Sequence, residues 1–195
     1  MTRAQGLALA AAALLADVVF LRAVWTHPDH WGIWDWDFAL ALFEVARKTI
    51  LEFGELPLWN PWMGGGTTLV GNPLANSFAP SFLPVLVFGT VPGVKIVLLL
   101  YTWIAQIGTF RLARASALGI PAALLAAGVF SWGGVFAQHF THGHITWVGY
   151  AWLPFLLLAF QRATAPGPVD ARRGPPLAAA AVFLAASFLD GGPYH

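Results

Sequence analysis

Apolar runs alternate with short polar and aromatic interruptions along the chain, and one interruption, between residues 26 and 92, is far longer than the others. The runs fall near 7–25, 94–113, 118–138, 145–160 and 177–189, the last two being short. A membrane-crossing helix takes roughly 20 predominantly apolar residues. The pattern therefore predicts an all-α polytopic membrane protein with about five transmembrane helices, forming a single transmembrane domain over 1–195. The first run begins after Arg3 with an AAALLA core like that of a signal peptide, but it continues through Val18, Val19, Phe20 and Leu21 without a clear small-residue cleavage site. That continuity predicts an uncleaved anchor. Segment 80–92 is also apolar, yet Pro80, Pro84 and Pro92 interrupt it, and its length suits an interfacial or re-entrant piece better than a crossing.

Inside the long insert the period changes. Over 38–53, Phe38, Leu42, Val45, Ile50 and Leu51 supply an apolar face, while Glu44, Lys48 and Glu52 recur every fourth residue. This predicts an amphipathic interfacial helix in a long first extracytoplasmic loop, ended at Gly54. The PLWNPW segment that follows sets Trp59 and Trp62 beside prolines, which suits a rigid turn at headgroup depth. The MGGGTT run beyond it reads as a close-approach loop. It lacks the lysine of a phosphate-binding loop and no strand is predicted before it, which argues against a nucleotide site.

Composition sharpens the class. Hydrophobic residues make up 58% of the chain and charged residues 10%, against about a quarter charged in soluble domains. The net charge is +1 and the basic residues stand singly or in pairs at the ends of apolar runs, so nucleic acid is not an expected partner; membrane lipid is. The absence of cysteine removes disulfides, thiolate metal sites and thiol nucleophiles. Arg3, the pair Arg111 and Arg114, and the group Arg162, Arg172 and Arg173 all share one side if 80–92 does not cross. Lysine and arginine accumulate on the cytoplasmic side. The N-terminus is then cytoplasmic, and the insert, the HFTHGH turn and the terminal GGPYH face the opposite side, with Arg47, Lys48 and Lys95 as the exceptions.

Candidate chemistry clusters on that outer side. Asp35 and Asp37, in WDWDF just after the first run, are either solvated loop acids flanked by interfacial tryptophans or a functional carboxylate pair. His139, His142 and His144 lie in one tight turn, as polar turn residues or as ligands for a metal or phosphate. Asp17 inside the first run is expensive in lipid and is expected to pair with Arg22 or with a basic residue of a neighbouring span. Asn60 and Asn72 precede proline and are good turn formers.

The run GELPLWNPWMGGGTTLVGNPLANSFAPSFLPVLVF resembles the first extracytoplasmic loop of YfhO-type bacterial membrane proteins of the GT-C glycosyltransferase superfamily. There a G-x-x-P-x-W-N-P segment leads through a Gly-x-Pro turn, here Gly71 and Pro73, and spaced prolines, here Pro80 and Pro84, into the next helix. The likeness continues through RLARASALGIPAALLAAGVFSWGGVFAQHFTHGHITWVGYAWLPFLLLAF, with its Gly-His turn before an Ala-Trp-Leu-Pro helix, and to the 189–192 end. The resemblance implies an enzyme of the bacterial cytoplasmic (inner) membrane that moves a sugar from a polyprenyl-phosphate carrier to an extracytoplasmic acceptor. It implies a catalytic acid after the first span, matched here by Asp37 and then Asp35, acting as base or as ligand of a divalent cation, Mg or Mn. On the same basis Arg47, Trp59, Asn60, Trp62, Asn72 and His144 are expected to contact sugar, phosphate or prenyl chain. The family normally has many more spans and a soluble C-terminal part, so the chain is expected to be truncated relative to it. The alternative expectation is a non-catalytic transmembrane subunit of a larger membrane complex, derived from a GT-C-like ancestor and packed against other membrane subunits.

Overall fold

The computed structural model describes residues 2–27, 30–165 and 173–191. Arg172 and residues 192–195, used above to orient the chain, lie outside them. Among the described residues three helical segments are long and apolar enough to cross a membrane. They are α1 (Arg3–Phe20), α5 (Thr90–Ala115), and α6 (Ile120–Trp132) continued by α7 (Gly134–His142) after a break at Gly133. Helix α1 starts in a capping box in which the Thr2 hydroxyl and the Gln5 side chain satisfy each other's backbone N–H groups. Its Leu7, Leu15 and Val19 are about two-thirds exposed and only Asp17 is buried, so most of its surface is left for lipid.

The remaining expected spans take a different form. Segment 145–160 is not one α-helix: Ile145–Trp152 is a 3-10 helix, and α8 (Leu153–Ala163) begins only afterwards. Pro154 in the first turn of α8 lacks an N–H and clashes with a preceding helical carbonyl, so the α-helix restarts there. Helix α9 (Gly174–Leu189) has 16 residues, about 24 Å of rise against a hydrocarbon core of roughly 30 Å. Among the described residues length and composition thus single out three of the five expected spans. Segment 80–92 contains the seven-residue α4 (Phe82–Phe88), about 10 Å long, which folds back on α5 and is too short to cross.

The insert carries α2 (Arg22–Thr26), α3 (Trp36–Leu51) and an antiparallel pair, β1 (Trp59–Asn60) with β2 (Thr67–Thr68), the one departure from all-α structure among the described residues. Gly64, Gly65 and Gly66 turn this hairpin with positive φ, a conformation that glycine adopts without Cβ strain. Helix α3 is amphipathic, but its inward face differs from the predicted one. Trp36, Ala39, Leu40, Phe43 and Ala46 join Leu42 in the core, Val45 is half-buried, and Phe38 is exposed. Helical spacing from Trp36, which is anchored by its indole N–H on the Phe140 carbonyl at 2.9 Å, sets that register. The core itself joins α3, α4, the first half of α5, α7 and the 3-10 helix, so the packed part of the molecule sits at the insert's end of the helices.

Asp17 corrects another expectation. Its Oδ1 accepts hydrogen bonds from Gln106 Nε2 at 2.7 Å and Trp132 Nε1 at 2.9 Å, and not from Arg22. Arg22 belongs to the separate α2, five positions on, whereas helical neighbours stand three or four apart. Neutral donors from α5 and α6 thereby fasten α1 to the bundle, together with the Trp103 indole on the Ala10 carbonyl at 2.8 Å.

Backbone bonds place the insert and the histidine turn at one end. Ile33 N–H donates to the Thr141 carbonyl at 3.2 Å and Asp35 N–H to that of His142 at 3.0 Å. Because the chain has no cysteine, single substitutions Glu55→Cys, Thr141→Cys and Gln161→Cys give a clean topology test. The first two are expected to react with a membrane-impermeant maleimide from the same side, with the third as the comparison. Labelling of positions 55 and 141 from opposite sides would overturn the shared-end arrangement.

Candidate functional site

Two neighbouring cavities meet where the first-span loop docks on the end of α7. Trp31, Gly32, Trp36, Lys95 and Phe140 help line an apolar cavity of about 400 Å³ whose far wall is the end of α1. On the other side of Trp36, Asp35, Leu74, His139, His144 and Trp147 help line a second cavity of about 410 Å³. The docking depends on Gly143, which ends α7 at φ +83°. A Cβ there would stand 2.4 Å from Trp36 N and 2.7 Å from the Asp35 carbonyl carbon. Gly143→Ala is therefore expected to destabilise the protein by roughly 2–3 kcal/mol through left-handed strain and backbone overlap. A thermal unfolding midpoint in detergent unchanged from wild type would count against this close approach.

Asp35 is the N-cap residue of α3 and Asp37 lies in its first turn, where negative charge is favoured by the helix dipole. The two carboxylates have different partners. Asp37 Oδ1 accepts from the Trp31 indole at 2.9 Å, while Asp35 Oδ2 lies 3.3 Å from His144 Nε2. His144 Nδ1 lies 2.7 Å from His139 Nδ1, and His139 stacks on Trp147 with centroids 3.6 Å apart. His142 stacks on Trp34 and lies tilted against His144, with ring centroids 6.0 Å apart in each case. With His144 Nε2 donating to Asp35, its Nδ1 is the acceptor and His139 Nδ1 the donor, so one proton order runs His139, His144, Asp35.

The other predicted contacts lie elsewhere. Arg47 is ten residues along α3 from Asp37, about 15 Å of helix rise, and sits beside Glu44 at 4.0 Å. Trp59 and Trp62 are more than half exposed on the hairpin, Trp62 stacking on Phe53 at 6.3 Å. Asn60 is buried, its Oδ1 accepting from Trp62 N–H at 3.0 Å, and Asn72 Oδ1 does the same for Leu74 N–H at 3.0 Å. Both asparagines thus shape turns. The Asn72 turn also presents Leu74 to the cavity that Asp35 and His144 line. The structure brings Asp35 and His144 together with Leu74 of the Asn72 turn in one cavity, turns Asp37 to Trp31, and leaves Arg47 and the hairpin pair at a distance.

Two participants, Lys95 and Asp190, escaped the sequence reading as site residues, whereas His139 is among its candidates and orders His144. Lys95 at the start of α5 donates to the His27 carbonyl at 2.6 Å and lines the apolar cavity. Asp190, at the end of α9, is fully buried and gathers donors from three other elements. Its Oδ2 accepts from Tyr101 Oη and Trp152 Nε1, both at 2.7 Å, and its Oδ1 from Ser81 N–H at 3.2 Å. Its carbonyl accepts from Asn76 Nδ2 at 3.4 Å. Burial raises this carboxyl above its ordinary value, and the bonds from Ser81, Tyr101 and Trp152 act in the opposite direction. A lone acid closing an apolar run is the signal that could have found it.

No family model, curated protein or solved structure matches the chain.

Proposed function

We propose that the chain is a GT-C-like membrane glycosyltransferase, or the N-terminal part of one, that transfers a sugar from a polyprenyl-phosphate carrier to an extracytoplasmic acceptor. The observation that carries this reading is the position of the Asp35–Asp37 segment beside an apolar cavity between helix ends. A prenyl chain suits such walls, and a phosphate at its head would meet the polar loop. In the reaction, Asp37 accepts the proton of the acceptor hydroxyl as its oxygen bonds to the anomeric carbon. The sugar–phosphate C–O bond breaks and its electron pair leaves on the carrier phosphate. His144 and His139 hold Asp35 in place in the neighbouring cavity. Asp35 and Asp37 also suit a divalent cation, Mg or Mn, since each keeps one carboxylate oxygen without a bond among the described residues. Such an ion commonly takes one or two carboxylates and completes its shell with phosphate and water, neutralising phosphate charge. In this reading the chain lies in a bacterial inner membrane with its N-terminus cytoplasmic, and the 3-10 helix with α8, and α9, complete five passages.

A second reading rests on the hairpin. Leu56, Leu58, Trp59 and Trp62 are 69%, 50%, 54% and 62% exposed in one short stretch, a surface that suits headgroups or a neighbouring subunit of a membrane complex. Reconstituted protein supplied with polyprenyl-phosphate-linked sugars and an acceptor distinguishes the two. Transfer supports the enzyme. Its absence together with loss of a co-purifying subunit in Trp59→Ala/Trp62→Ala supports the scaffold.

A further inference from the structure

At the end of the molecule opposite the insert, α5, α8 and the first three turns of α9 line a cavity of about 880 Å³. Arg111, Arg114 and Arg162 line it, and so do Phe110, Phe155 and Phe183. Among the described residues no carboxylate lines this space. Arg114 donates to the Leu118 carbonyl, one of several acceptors its fork could serve, while Arg111 and Arg162 make no hydrogen bond or ion pair with any described residue. Arg114 and Arg162 each stand in the last turn of a helix, where the macrodipole favours a cation. The preference for positive charge on the cytoplasmic side accounts for which end they occupy. Neither effect accounts for arginines from two separate helices converging on one cavity walled by three phenyl rings.

We infer that this cavity binds an anionic glycerophospholipid, its phosphate held by Arg111, Arg114 and Arg162 and its acyl chains against Phe110, Phe155 and Phe183. Charge complementarity selects the occupant. Guanidinium groups match phosphate oxygens bidentately, and a cationic pocket between helices at the cytoplasmic membrane surface is the setting in which acidic headgroups are recognised. The phenyl walls ask for hydrocarbon beside the phosphate, which a lipid supplies and a free anion does not. This site is separate from the proposed sugar-transfer site and does not depend on it.

Native mass spectrometry of the 195-residue chain in detergent, titrated with phosphatidylglycerol, phosphatidylcholine or inorganic phosphate, tests the assignment. Wild type is expected to retain phosphatidylglycerol preferentially. Apparent affinity should fall about fivefold per arginine removed, and on the order of a hundredfold in Arg111→Gln/Arg114→Gln/Arg162→Gln, whereas the triple Arg→Lys variant, which keeps the charge and loses the bidentate fork, falls between the two. Equal retention of the two lipids by wild type overturns the proposal, as does undiminished phosphatidylglycerol binding by the triple glutamine variant. Inorganic phosphate abolishing phosphatidylglycerol retention at equal concentration would assign the arginines to a free anion and also overturn it. If the triple variant fails to fold, wild-type selectivity and the single Arg162→Gln variant decide the question.

Discussion

Asp37→Asn is expected to lower sugar transfer from a polyprenyl-phosphate donor by about 100- to 10,000-fold, the usual effect of removing a general base. The fold should survive the change. Asp37 is exposed, its amide replacement keeps an oxygen that can accept from the Trp31 indole, and the lost helix-terminus charge costs about 0.3–1 kcal/mol. A single-turnover assay in proteoliposomes, beside thermal unfolding of the same preparation, separates chemistry from stability. Asp35→Asn is expected to reduce transfer less, because the resulting carboxamide can still accept from His144. Wild-type transfer by Asp37→Asn would remove this residue from the reaction, and equal loss in both variants would point to a shared cation rather than a base.

How far this site is visible in the sequence depends on the range of the interactions that build it. Local signals carried well: the span near α5, the helix inside the insert, the glycine-run turn and the short α4 around Pro84 all follow from period and turn chemistry over a few residues. The grouping of segments carried further, since Arg111, Arg114 and Arg162 line one cavity and 33–35 meets 141–142 elsewhere. What failed is what depends on partners more than 80 positions away. The inward face of α3 is set by Trp36 on Phe140, and Asp17 meets Gln106 and Trp132, a choice that no helical spacing within the first span discloses. The pairing of Asp35 with His144 joins two candidates that were recognisable separately, yet only the left-handed Gly143 and its contact with Trp36 bring them together.

Asp190→Ala is expected to be the most damaging single truncation for stability. The side chain joins four segments at once: the turn before α4 through Ser81, α5 through Tyr101, the 3-10 helix through Trp152, and α9, to which Asp190 itself belongs. Removing it leaves three donors without their acceptor in a site that water does not reach, at roughly 1–3 kcal/mol for each group left unsatisfied and less than additively for neighbours. A loss of about 3–5 kcal/mol follows, comparable with breaking a buried charged network. Thermal or denaturant unfolding in detergent measures it, and a change below about 1 kcal/mol would show that these bonds do not hold the insert to the helices. Asp190→Asn separates charge from geometry. Its amide oxygen can serve Tyr101 and Trp152, while its amino group meets Ser81 N–H, so a smaller loss is expected. The pH dependence has a definite sign. Because burial raises the folded-state pKa, the folded protein holds this proton more tightly than the unfolded chain, and wild-type stability should fall as pH rises from the ordinary carboxylate range through the raised value. Asp190→Asn removes that titration, so its stability profile should be flatter over the same interval; parallel profiles for the two proteins would place the titration elsewhere.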